Sequence, residues 1–201
     1  MIFDMQALAL LARAWLRRGI RRTDAVGAEV RRVDPMIGQA ASSAMPVIAT
    51  HHPVTRCLAA ATQGFRGLED LQRIGPSLPW RHGYDPHPSR AGLEDRLAWV
   101  EIVGPAAPLR HPALCVGFVL MAPHTVYPAH AHPAVELYHV ISGTALWTAA
   151  DVATERRPGD FILHPSGISH AMTTAEEPLL AIYSWTGDML SPSRFLSPEH
   201  E

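Results

Sequence analysis

From Met5 to Ile20 the apolar residues Leu8, Leu11, Ala12 and Trp15 recur at three- and four-residue spacing, with Arg13, Arg17 and Arg18 off the stripe. That period predicts an amphipathic helix. Thr23-Asp24 supplies a cap for a second helix running through Val30, and Pro53 suits the first turn of a third that carries Val54 and Leu58. A single apolar stripe must be buried against another element, so these helices are expected to pack on something larger. The stretch GPSLPWRHGYDPHP, Gly75 to Pro88, is too rich in proline and glycine to continue a helix and reads as a connector or lid.

From about Arg96 the pattern shortens. RLAWVEIVG (96–104), ALCVGFVLM (113–121), VELYHVISG (135–143), DFILHP (160–165) and LLAIYSW (179–185) have strand length and are separated by turn residues. In RRPGD, Pro158 and Gly159 fall at the two central positions of a type II turn. Regularly spaced short strands predict a β-sandwich or barrel. Residues 1–90 are therefore expected to form a helical extension and connector packed on a barrel built by residues 91–201.

Composition narrows the chemistry. Of the 201 residues, 47% are hydrophobic and 18% charged, against about 25% charged in a typical domain, so a substantial core is available. Seventeen basic against nineteen acidic residues give a net charge of −2, which leaves no excess positive charge for phosphates and excludes nucleic acid as an expected partner. Every basic residue is arginine, which removes Schiff-base and P-loop lysine mechanisms. Cys57 and Cys115 form no C-x-x-C pair, so a reducing, cytoplasmic setting is expected. The opening MIFDMQALALLARAWLRR carries Asp4 where a secretory leader is basic and is too short to span a bilayer. Neither a leader nor a membrane segment is expected.

Six of the twelve histidines lie between His124 and His170. On a strand His130 and His132 share a face, because side chains alternate with period two. Glu136 cannot join them on one straight strand, since four residues at ~3.3 Å each span about 13 Å, far more than the separation of two ligands of one ion. A bend at Pro133-Ala134 is required. Beyond it Glu136 and Tyr138 share one face, and Leu137 and His139 the other.

His130-x-His132-x-x-x-Glu136, followed after six residues by Gly143, resembles the first motif of the cupins, and Gly159 with Pro165-x-Gly167-x-x-His170 resembles the second. The resemblance implies a mainly β chain with a C-terminal cupin barrel, a double-stranded β-helix or jelly roll, behind the N-terminal helical extension. It also implies one divalent transition metal ion, zinc or alternatively iron, manganese or nickel, held by His132, Glu136 and His170, with His130 as a fourth ligand or just off the metal. Imidazole and carboxylate ligands suit each of these ions. Two positions depart from the pattern, His124 standing for a glycine and Thr174 for an asparagine. The remaining histidines His124, His139 and His164 are read as satisfied or exposed, and Cys115 as a small core residue.

Tyr127, Tyr138 and Trp185 complete a pattern, Y-x-x-H-x-H-x-x-x-E-x-Y with a later YSW, that is similar to the cupin-type dimethylsulfoniopropionate lyases of marine bacteria. That likeness implies a carbon-sulfur lyase producing dimethyl sulfide and acrylate by β-elimination, with Tyr138 as base. The substrate is a small sulfonium carboxylate. An unperturbed tyrosine has a pKa of about 10, and contact with the metal, or desolvation beside it, is expected to lower that value. Trp185 offers an aromatic face to the sulfonium, and Tyr127 and His130 line the substrate. A monomer or homodimer with neither nucleic-acid nor membrane partners is expected. Competing expectations are an iron-dependent cupin dioxygenase, which would need Fe(II) and consume oxygen, and a non-enzymatic cupin that binds a small ligand without turnover. A sugar-phosphate isomerase fits less well, because the motif offers aromatics where a phosphate needs arginines.

Overall fold

The computed structural model describes residues 4–43 and 47–196. Residues 1–3 of the N-terminal segment discussed above lie outside the described residues. Five α-helices, Met5–Leu16 (α1), Ala25–Gln39 (α2), Leu58–Thr62 (α3), Glu69–Ile74 (α4) and Leu93–Arg96 (α5), precede most of the strands. The strands are Ala41–Ser42 (β1), Leu97–Gly104 (β2), Leu109–Arg110 (β3), Cys115–Met121 (β4), Val126–Ala131 (β5) and Ala134–Ser142 (β6). Ala145–Ala149 (β7), Val152–Arg156 (β8), Phe161–His164 (β9), His170–Thr174 (β10), Leu179–Gly187 (β11) and Arg194–Phe195 (β12) follow. They form a seven-stranded sheet, β1-β3-β2-β4-β11-β6-β9, and a five-stranded sheet, β12-β5-β10-β7-β8. Apart from the parallel pair β2–β3 all neighbours are antiparallel.

The larger sheet is buried on both faces, which explains why its strands read as nearly continuous apolar runs. Val100, Ile102, Phe118, Leu120, Leu137, Ile141, Leu180 and Ile182 join one core with Leu8, Ala12, Trp15, Val30 and Val33 of the helices. The alternate residues Val119, Tyr138, Val140, Ala181 and Tyr183 face inward and pack with Tyr127, Trp147 and Met172 of the smaller sheet. The helices therefore cover the outside of one sheet, while the barrel interior belongs to a separate cluster.

Local chemistry sets the element ends. Asp4 accepts from the Ala7 amide and Asp24 from the Gly27 amide, capping α1 and α2. The second helix runs nine residues beyond Val30, with Pro35 inside it. Val33 and Ile37 are buried on the same face as Val30, and this packing outweighs the backbone hydrogen bond that a proline forfeits. The third helix divides into a 3-10 turn at Pro53–Cys57 and a short α-helix. Gly159 has φ +97° and the Asp160 amide bonds to the Arg157 carbonyl, closing the turn expected in RRPGD. Gly143 has φ +76°, and a side chain there would collide with the Pro178 carbonyl. His124 adopts φ +53° itself, taking the left-handed turn usually left to glycine. Thr174 accepts from the Thr125 amide (3.0 Å) and donates to the Ala122 carbonyl (2.6 Å), tying that turn to β10. Among the described residues no helix is long and apolar enough to cross a membrane.

His139 corrects an expectation. It is fully buried against Phe161 (ring centroids 4.0 Å) and Trp15 (5.8 Å), its Nδ1 lies 3.3 Å from the Asp160 carbonyl, and its Nε2 has no hydrogen-bond partner. Burial, assisted by nearby Arg18, pushes its pKa down to about 4. The unfolded chain, with an ordinary histidine, binds the proton first, so stability falls as pH drops from 6.5 towards 4. The loss reaches about 3 kcal/mol at pH 4. His139→Phe keeps the ring stack and removes the titration, so its melting temperature should fall less between pH 7 and pH 4.5 than that of the native chain. Parallel acid dependence of the two proteins would exclude His139 as a source.

Candidate functional site

The bend between β5 and β6 brings the ligand-type residues together. His132 lies just past the end of β5, Pro133 interrupts the strand, and Glu136 and Tyr138 then face the barrel interior from β6. His170 opens β10, directly opposite His130 in β5. His132 Nε2 stands 3.0 Å and His170 Nε2 3.3 Å from Glu136 Oε2, and all three residues are buried. One ligand atom from each lies within 4.8 Å of the others.

The tautomers of this cluster follow from its backbone partners. His132 Nδ1 is 3.1 Å from the Ala134 carbonyl and His170 Nδ1 3.0 Å from the Ile168 carbonyl. A carbonyl can only accept, so both Nδ1 atoms carry hydrogen, and in the neutral rings both Nε2 atoms present lone pairs. With both rings neutral, two lone pairs would face the carboxylate and the 3.0 Å contact of His132 Nε2 with Glu136 Oε2 would have no hydrogen to share, while His170 Nε2 has no hydrogen-bond partner despite its burial. Such a triad calls for positive charge, either a proton or a metal ion. Burial favours neutral His132, but the Glu136 carboxylate outweighs it and holds the ring above its usual pKa. Burial likewise opposes the Glu136 charge, yet the two imidazoles hold its carboxyl well below the usual range. Buried nitrogen and carboxylate ligands, with the imidazoles backed by carbonyls, fit a divalent transition metal.

His130 stands beside this triad. Its Nδ1 is 2.8 Å from the Pro128 carbonyl, and its ring lies 4.0 Å from that of His170 and stacks on Tyr127 at 3.9 Å. Burial, with His170 nearby, pushes its pKa down to about 3. Trp185 is engaged more closely with the triad than an aromatic wall requires. Its Nε1–H donates to Glu136 Oε1 at 2.6 Å and its ring lies 4.2 Å from that of His132. Burial and then the Glu136 charge raise the Tyr138 phenol well above its ordinary pKa. Desolvation therefore acts on Tyr138 in the direction opposite to the one expected, because removing water disfavours the phenolate.

Tyr127, His130, His132, Glu136, Tyr138 and Trp185 line a cavity of about 320 Å³ whose wall also contains Arg81, Tyr84, Trp99, Glu101, Cys115 and Tyr183, with His170 behind it. Tyr84 comes from the connector. Its hydroxyl lies 2.5 Å from that of Tyr127 and donates to Ser193 Oγ at 2.8 Å, so the segment before the barrel and the segment after β11 meet over the pocket. Nothing local in the sequence links Tyr84 to Tyr127, forty-three positions later.

His164 corrects a second expectation, being neither exposed nor fully satisfied. Its Nε2 accepts from Trp147 Nε1–H at 2.9 Å, its ring stacks on His170 at 4.1 Å, and its Nδ1 is buried without a partner. Its register pairing with Glu136 puts it on the inward face, a signal available from strand alternation once β9 is paired with β6. Cys115 is buried as expected, but it borders the cavity, and burial with neighbouring Glu101 pushes its thiol up to about 12.

Two facing antiparallel sheets enclosing an inward His-His-Glu group define a cupin, with helices on the outside of one sheet. The chain belongs to the dimethylsulfoniopropionate lyase family, whose model matches residues 25–181. It is 38% identical over 142 residues to a putative dimethylsulfoniopropionate lyase DddL of Cereibacter sphaeroides, covering 67% of this chain and 60% of that protein. Against the dimethylsulfoniopropionate lyase DddQ of Ruegeria pomeroyi the identity is 33% over 128 residues, covering 63% and 64%. The matched region thus spans less than two thirds of the length of either curated relative. A solved structure described among crystal structures of the lyases RdDddP and RnDddQII superposes with TM-score 0.80 at 26% identity, covering 96% of this chain and 97% of the other.

Proposed function

We propose that the protein cleaves dimethylsulfoniopropionate to dimethyl sulfide and acrylate, and that His132, Glu136 and His170 hold a divalent metal ion that the reaction needs. The observation that carries this reading is the convergence of His132 Nε2, His170 Nε2 and a Glu136 carboxylate oxygen within 4.8 Å of one another, with His132, Glu136 and Tyr138 lining one cavity. Family membership supplies the substrate class.

When bound, the metal supplies positive charge that offsets Glu136, favours the Tyr138 phenolate and steadies the substrate carboxylate as charge develops beside it. Tyr138, acting from its phenolate form, takes through Oη the proton from the carbon next to the carboxylate. The electron pair of that C–H bond forms the new C=C bond, and the C–S bond breaks with its electrons leaving on sulfur, giving neutral dimethyl sulfide. The proton ends on Tyr138, and no water or redox partner is consumed. Trp185 steadies Glu136 through its N–H, while Tyr127 and His130 form a stacked wall beside the reacting end.

The test is headspace detection of dimethyl sulfide from purified protein loaded in turn with Zn, Fe, Mn and Ni, beside a chelator-stripped control. Release that disappears on stripping and returns with metal is expected. Absence of release with every ion would exclude the lyase reading, and undiminished release after stripping would exclude the metal.

A further inference from the structure

The cavity has a second charged end that the elimination chemistry leaves unused. Cα partners Glu101, Gly117, Tyr183 and Tyr138 form one row across β2, β4, β11 and β6. Residues paired in this way point to the same face of the sheet, here the barrel interior. Three inter-strand steps of ~4.8 Å place Glu101 about 14 Å from Tyr138, backbone to backbone. Between them Gly117 contributes no side chain, and a Cβ there would come within 3.0 Å of the Tyr183 ring. Glu101 and Tyr138 therefore lie on one inward face, with the Tyr183 ring over Gly117 between them.

Glu101 is held in place by an ion pair with Arg81. Its Oε2 lies 2.6 Å from Arg81 NH2, and its side chain is 13% exposed against 57% for Arg81. Both side chains line the cavity, but the guanidinium is the more exposed to water and its charge is the more screened. Burial raises the Glu101 pKa and the Arg81 charge opposes that rise. Tyr183 stands in the Glu101 row, whereas Trp185 pairs with Glu136 on one side and Cys115 on the other and so lies between the two ends.

We propose that Glu101 is the receptor for the cationic end of the substrate, with Tyr183 and Trp185 as aromatic walls, and so determines selectivity for onium carboxylates over carboxylates with an uncharged tail. The proposal rests on the sulfonium-carboxylate reading given above. A zwitterion needs opposite charges at the two ends of its pocket, and the cavity offers a ligand-rich end for the carboxylate and an anion at the other. A sulfonium has no N–H or O–H to donate, so a fixed anion with aromatic faces is the receptor its chemistry allows.

The test uses two isosteric probes that differ in charge, 3-(trimethylammonio)propionate and 4,4-dimethylpentanoate, titrated calorimetrically into zinc-loaded protein. The native protein should prefer the cation by about tenfold or more. Glu101→Gln should abolish that preference while leaving affinity for the probe with the uncharged tail within about twofold. Should this variant fail to fold, Arg81→Gln gives an independent reading, since it keeps the carboxylate, removes a competing cation and should increase the preference. A native protein without preference, a folded Glu101→Gln that retains it, or an Arg81→Gln that lowers it would overturn the proposal. Dimethyl sulfide release is measured separately. A native protein that prefers the cation but releases no dimethyl sulfide would keep this subsite and lose the lyase reading, whereas release with an unaltered preference in Glu101→Gln would do the reverse.

Discussion

Tyr138→Phe is expected to lower the turnover of metal-loaded protein by roughly 10²–10⁴-fold, the range that positioned acid–base groups contribute. The substitution removes one oxygen and little else. Tyr138 is buried with its ring 4.8 Å from that of Trp147 in an edge contact, and phenylalanine preserves that packing. The oxygen accepts the proton in the proposed step and has no assigned part in holding the ground state, so kcat should fall with KM nearly unchanged. Because burial and Glu136 both hold the phenol protonated, the native rate should rise with pH until the phenolate dominates. The residual rate of the variant should lose that limb. Metal analysis of both proteins accompanies the assay. Near-normal turnover in Tyr138→Phe, at equal metal content, would exclude Tyr138 as the base.

The parts of this arrangement that were legible in the sequence are those carried by short, fixed spacing. Period-two alternation put Glu136 and Tyr138 on one face of β6, with Leu137 and His139 on the other. The need to bend at Pro133-Ala134 followed from the reach of a strand compared with the size of an ion. Strands buried on both faces read as apolar runs, whereas β7 and β8, whose Leu146 and Val152 are exposed, carry no such run. Long-range partnerships carried no signal. The Trp185 N–H on Glu136, the Tyr84 hydroxyl at Tyr127, and the ion pair of Arg81 with Glu101 each join residues twenty to forty-nine positions apart. The same limit explains His139 and His164, whose unpartnered nitrogens depend on which helix or strand lies over them. Extension of α2 through Pro35 belongs here too, since it depends on the burial of Val33 and Ile37 rather than on local propensity.

Glu136→Ala should reduce metal affinity by at least about 100-fold, the upper range for loss of a group that merely supports a ligand. Three features make this residue decisive. It brings negative charge to a pocket whose other donors are neutral imidazoles, it is the point on which His132 and His170 converge at 3.0 and 3.3 Å, and Trp185 fixes its other oxygen. Its removal leaves two histidines whose Nδ1 hydrogens are already given to backbone carbonyls and which can then share only a neutral, weaker site. The check is metal content after dialysis against a competing chelator, with folding followed by melting temperature. Trp185→Phe separates position from charge, because it keeps an aromatic ring beside His132 while freeing Glu136 Oε1, and it should cost roughly 10–100-fold in affinity. Full occupancy in Glu136→Ala would mean that the metal, if one is held, is coordinated by a different set of residues. Occupancy lost in Glu136→Ala but retained in Tyr138→Phe would divide the two neighbouring residues of β6 as the mechanism requires, one holding the ion and the other moving the proton.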